Sequence, residues 1–292
     1  MITIRPSEQR GKADFGWLKS RHTFSFGAYY DQNHMGVSVL RVINDDRVAP
    51  GAGFSTHGHS DMEIISYVLD GEIAHRDSEG NVETLPAGEF QLMSAGSGIR
   101  HSEFNPSQDK PLHFLQIWIR PSVYGAAPGY QQKDFGGQPG LTLVASPDGA
   151  EGSLTIRQNA RLYQLLLQPD AEITLPANQN RNYFVHQIDG ELAVNGTMLS
   201  PGDGAHLHEE RNIHLKAGAQ AVRALVFDSH FDASGSRVDL DAALTGDLTP
   251  SRFAALRPLS TQLADFFAAT LRGARRPFRP GEPSAHDPLT VQ

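Results

Sequence analysis

Two stretches of the chain repeat one another. "YVLDGEIAH" at 67–75 is answered by "HQIDGELAV" at 186–194, and "TLPAGEF" at 84–90 by "MLSPGDGAH" at 198–206. Each pair reads as an apolar strand, an Asp-Gly turn, a second strand, a Pro/Gly turn and a third strand. Recurrence of one unit along a chain marks a structural repeat. Around these units, "MGVSVLRVIND" (35–45), "MEIISYVLDG" (62–71), "EFQLMSAG" (89–96) and "PLHFLQIWIR" (111–120) are short, rich in apolar and β-branched residues, and punctuated by turn formers. That rhythm predicts an all-β sandwich or barrel in two copies. "DSEGN" at 77–81 predicts a hairpin tip.

The Gly/Pro-rich stretch 121–140 divides the copies. Three regions are expected: an N-terminal metal-binding unit at 1–135, a second β-unit at 136–231, and an extension at 232–292. In the extension, Thr249 suits an N-cap and Pro250 the first helical position. Phe253, Leu256, Leu263, Phe266, Phe267 and Leu271 approximate an apolar helical stripe, interrupted by Pro258. The last twenty residues have the composition of a disordered tail.

Charge and residue usage narrow the function. The formal net charge of −8 argues against broad, charge-driven binding to nucleic acid or anionic lipid. The start "MITIRPSEQR" is charged where a signal peptide is apolar, and no run of about 18 apolar residues occurs, so a cytoplasmic protein is expected. There is no cysteine, which removes thiolate metal sites and cysteine nucleophiles. Any metal is left to histidine and carboxylate.

His57 and His59 stand one residue apart on a strand-like segment and therefore share a face. His101 and Glu103 repeat the spacing in "GIRHSEF". Two such pairs on neighbouring strands bring three imidazoles and a carboxylate to one point. That donor set suits a divalent first-row ion: Fe, Mn, Ni, Cu or Zn. Glu63 has the parity of His59, so spacing alone leaves two candidates for the carboxylate.

"GAGFSTHGH" followed by Glu63 resembles the first cupin motif, through Gly51, His57, His59 and Glu63, with Gly71 one residue late. "GNVETLPAG" resembles the second, through Gly80, Pro86 and Gly88, with His101 and Asn105 completing it after a long gap. That gap ending in "MSAGSGIRHSE", together with "HTFSFGAYYD", "VLRVINDDRVAPGAGF" and "HRDSEGN", is similar to the pirin family over about residues 2–231. The resemblance implies a bicupin, two antiparallel jelly-roll-type β-barrels. It implies metal ligands His57, His59, His101 and Glu103 in the first barrel, with Fe(II) the expected ion and Glu63 a neighbour. It also implies quercetin 2,3-dioxygenase activity on a small aromatic substrate and O2, with CO released and Glu103 as catalytic base. The alternative implied is a metal- or redox-sensing regulator acting through a protein partner. A third reading keeps the cupin chemistry and changes the metabolite.

Other histidines read as ordinary. His22, His75 and His113 are expected in core or surface roles. His206 and His208 form a further His-x-His, expected to face solvent. Superposing the halves puts Pro176 and Asn178, and Lys216 and Gly218, where the first half has its ligands, so the second barrel is expected to lack them. Phe54, Met62, Phe90, Met93 and Phe104 are candidates for an apolar pocket lining or for plain core.

Overall fold

The computed structural model describes residues 1–230. The helix expected at 248–276 and the tail after it lie outside the described residues. Among the described residues the regular structure is strand, apart from 3-10 turns at Ser7–Gln9 and Ala150–Gly152.

The strands form two seven-stranded and two four-stranded sheets. In the first half the larger sheet runs Gly129–Asp134, Glu89–Ser94, Glu63–Asp70, Leu112–Ile119, Leu40–Val48, Leu18–His22, Gly11–Asp14. The smaller runs Gly53–His59, Ile99–Phe104, Glu72–Asp77, Val82–Pro86. Side chains from both meet in one core that includes Phe54, Ile73, Leu85, Met93, Phe114 and Trp118. The second half repeats the plan around Leu165, Val185, Val194, Leu215 and Val226. This is the bicupin expected from sequence.

A third core lies between the barrels, where Ile65, Tyr67, Leu115 and Ile117 meet Val144, Leu162, Phe184 and Phe227. It explains the unbroken apolar run "EIISYVL". Along Glu63–Asp70, Ile64 and Val68 fill the first barrel while Ile65, Tyr67 and Leu69 pack on the second. A strand buried on both faces has no polar alternation to show.

The sequence repeat is a repeat of turns. Gly71 and Gly190 have φ of +82° and +76°. A Cβ would sit 3.1 Å from the Pro111 carbonyl oxygen at the first and 2.4 Å from that of Ala221 at the second. Both positions therefore require glycine for conformation and for space.

Two non-local features were not readable from pattern. Ile2–Arg5 pairs antiparallel with Gly204–His208, at the edge of the second barrel's sheet. Part of the stretch expected to be a linker loop is a strand: Gly129–Asp134 pairs with Glu89–Ser94 and extends the first barrel's sheet.

Candidate metal centre

Strands Gly53–His59 and Ile99–Phe104 run antiparallel, with His57 opposite His101 and His59 opposite Ile99. Period-2 alternation turns both imidazoles of the first strand inward with that of His101. The register then slips: Glu103 lies opposite Phe54, leaving an extra residue on the first strand. Such a bulge re-aims side chains beside a site. The crossing is close, because a Cβ on Gly53 would fall 2.3 Å from the Glu103 carbonyl oxygen and 2.5 Å from Phe104 Cα.

His57, His59 and His101 are all buried. His101 Nε2 lies 3.0 Å from His59 Nε2 and 3.1 Å from His57 Nε2. Nδ1 of His57 is 2.8 Å from the Ser55 carbonyl oxygen. A carbonyl only accepts, so the proton sits on Nδ1 and the Nε2 lone pair faces the cluster. Burial, followed by the neighbouring His57 and His59, holds His101 well below its ordinary pKa and keeps it neutral. Three imidazole nitrogens gathered this closely suit a cation: bonds of about 2.1 Å at right angles span nitrogens about 3.0 Å apart. The donor set and the spacing fit a divalent metal. Trp118 packs edge-on against His59, with centroids 5.1 Å apart, and fixes that ring.

Glu103 is buried beside this triad. Its carboxylate accepts from Ser66 Oγ at 3.1 Å and Gln116 Nε2 at 3.0 Å. Burial raises its pKa, opposed by His75 and by those two donors. Its potential ligand atom groups with those of His101 and His75. Glu63 is elsewhere. A turn through Asp61, with φ of +49°, carries the chain from the four-stranded to the seven-stranded sheet between His59 and Glu63, so their shared parity means nothing. The Glu63 carboxylate accepts from Ser94 Oγ at 2.8 Å and the Arg157 amide at 3.3 Å.

His75 belongs to the centre, contrary to the expectation of an ordinary histidine. It is fully buried, directly opposite Glu103, with its ring centroid 5.4 Å from that of His101. Its Nε2 is 3.1 Å from the Asp77 carboxylate. The signal was present: "HRD" has the same i, i+2 pairing of imidazole and carboxylate as "HSE". His22 is also buried, with Nδ1 2.8 Å from Asn44 Oδ1. His113 bonds Asp45 at 2.8 Å on the outer side.

In the second barrel His206 bonds Asn182 at 2.9 Å and is pushed down to about 4 by burial and by His208. The two metal-type clusters among the described residues both lie in the first barrel. Of the five apolar candidates, Phe54, Met62 and Met93 fill the first barrel and Phe90 packs between the barrels.

A cavity of about 250 Å³ opens in the first barrel, walled by Phe15, Phe26 and Tyr29 and by His22, Asn44 and Asp46. Phe26 meets Trp118 edge-on at 5.5 Å, so Trp118 stands between this cavity and His59.

The fold and this triad define a bicupin whose metal-type donors, among the described residues, gather in the N-terminal barrel. The chain belongs to the pirin family: residues 3–119 match the pirin model and 143–229 that of the quercetinase C-terminal cupin domain. It is 47% identical over 228 residues to the quercetin 2,3-dioxygenase of Escherichia coli (strain K12), covering 78% of this chain and 98% of that one. Identity to a pirin-like protein of Caulobacter vibrioides is 42%, covering 77% and 99%. The crystal structure of the Escherichia coli bacterial pirin YhhW in complex with nickel(II) matches with a TM-score of 0.76 at 46% identity, over 79% of this chain and 99% of that one. Among the described residues, no helix is long and apolar enough to cross a membrane.

Proposed function

We propose that this chain cleaves a flavonol such as quercetin with O2, releasing CO and leaving a depside. The observation that carries the reading is the convergence of the buried His57, His59 and His101 Nε2 atoms. The names of the 47%-identical relative and of the second family model point the same way. His57, His59 and His101, with Glu103, would hold the ion, which we propose to be Fe(II). When bound it supplies Lewis acidity toward adjacent hydroxyl and carbonyl oxygens and a redox partner for O2.

The chain's own residues do the rest. Glu103, with its pKa raised by burial, accepts the proton of the flavonol 3-hydroxyl. Ser66 and Gln116 hold its two oxygens and so fix where that proton goes. Trp118, backed by Phe26, packs against His59 and keeps that side of the centre apolar. Exclusion of water by this lining protects the flavonolate until O2 arrives.

The test is a product analysis. Metal-loaded protein with quercetin is expected to consume one O2 per quercetin and yield the depside; anaerobic incubation is expected to yield none. Quercetin loss without a depside in air would contradict the reading.

A further inference from the structure

A second pocket lies outside the metal centre, in the cleft between the barrels. Its volume is about 280 Å³. Its floor is built from Arg10, which follows the Ser7–Gln9 turn, and from His186 and Gln187 of the second barrel. All three are at least nine-tenths buried: Arg10 is 7% exposed, His186 1% and Gln187 0%. Each carries a buried polar atom with no hydrogen-bond partner: Arg10 Nη1, His186 Nδ1 and Gln187 Oε1. Native interiors pair such atoms, and three in one cleft make it a polar receptor.

The charges around the cleft decide what it receives. Asp45 is taken by Arg10 at 3.3 Å and His113 at 2.8 Å. Asp189 is taken by Arg223 at 2.7 Å. Arg47, exposed at the rim, makes no recorded ion pair among the described residues and leaves one positive charge over. His186 adds none, since burial and the nearby Arg10 push it down to about 3. Leu69, Leu115 and Ile188 supply apolar wall.

We propose that this cleft binds a small hydroxy-substituted aryl monocarboxylate, of the hydroxybenzoate class. The carboxylate takes Arg10 Nη1 and the field of Arg47. The hydroxyl donates to Gln187 Oε1, and the ring lies on the apolar wall beside neutral His186. The volume suits one ring and is below the range for larger drug-sized ligands. The inference stands apart from any reaction at the histidines.

Calorimetric titration of the purified full chain tests it, with 4-hydroxybenzoate, benzoate, 4-hydroxybenzyl alcohol and inorganic phosphate as probes. One 4-hydroxybenzoate per chain is expected, bound at least tenfold more tightly than the other three. Arg47→Ala, at an exposed position that leaves the fold intact, is expected to weaken it at least tenfold with metal content unchanged; Arg10→Gln is expected to do the same. Unchanged affinity in Arg47→Ala, phosphate binding as tightly as 4-hydroxybenzoate, or no binding heat would each overturn it. So would loss of binding in His101→Ala with retention in Arg47→Ala, which places the acid at the metal centre.

Discussion

His57 and His101 face one another across adjacent antiparallel strands, and their Nε2 atoms stand 3.1 Å apart inside the first barrel. His59 completes the triangle from the same strand as His57, through a 3.0 Å approach to His101. Both close approaches run through His101, so its removal takes away the donor that joins His57 to His59. His101→Ala is therefore expected to lower metal affinity by more than the roughly 10–100-fold that loss of an outer-sphere partner costs. Metal analysis of tag-free protein after dialysis measures it; full occupancy in His101→Ala would remove His101 from the ligand set.

Gln116 reaches the centre through Glu103, to which it donates, and through Trp118, from whose indole Nε1 it accepts at 3.3 Å. Gln116→Leu keeps the size of the side chain and deletes the donor to Glu103 Oε2. A roughly 10–100-fold fall in kcat is expected, with KM and metal content nearly unchanged. An equal fall in metal content would make Gln116 a structural support instead.

Gly53 is where backbone meets backbone. Gly53→Ala places a methyl inside contact distance of Glu103 and Phe104, so the strands must separate. A loss of about 1–3 kcal/mol is expected, the usual range for overpacking. Thermal unfolding reads it, and an unchanged midpoint would show that the strands give way freely.

Asp46 lies buried on the strand Leu40–Val48, and burial pushes its carboxyl up to about 7 against the opposing Ser20 hydroxyl. The folded value is above the unfolded one. The stability it contributes is thus fully present below about pH 3.9 and is lost as pH rises through about 7. The loss is on the order of 4 kcal/mol across that window. Urea unfolding of wild type and Asp46→Asn at pH 5 and pH 8 should show the difference between them shifting toward the variant at pH 8. A difference independent of pH would mean that Asp46 is ionised in the fold.

Most of the fold was legible because its determinants are local. Gly71 and Gly190 announce equivalent turns, and "HGH" and "HSE" each put two donors on one strand face within three residues. What was illegible depends on which sheet a turn feeds. Glu63 shares the parity of His59, yet three turn residues send it to the other sheet, where Ser94 and Arg157 take its carboxylate. His75 carries the same local pairing, with Asp77, as "HSE" does; what no local pattern encodes is that its strand lies beside Ile99–Phe104 and sets it opposite Glu103. The pairing of Ile2–Arg5 with Gly204–His208 joins segments some two hundred residues apart, and no local pattern encodes it.

The most direct measurement is CO release from quercetin in air as metal-free protein is titrated with Fe(II). CO production is predicted to rise in proportion to added metal, to level off at one ion per chain, and to be absent from His101→Ala at every ratio. CO release that ignores the added ion, or that survives unchanged in His101→Ala, would contradict a catalytic centre built on His57, His59 and His101.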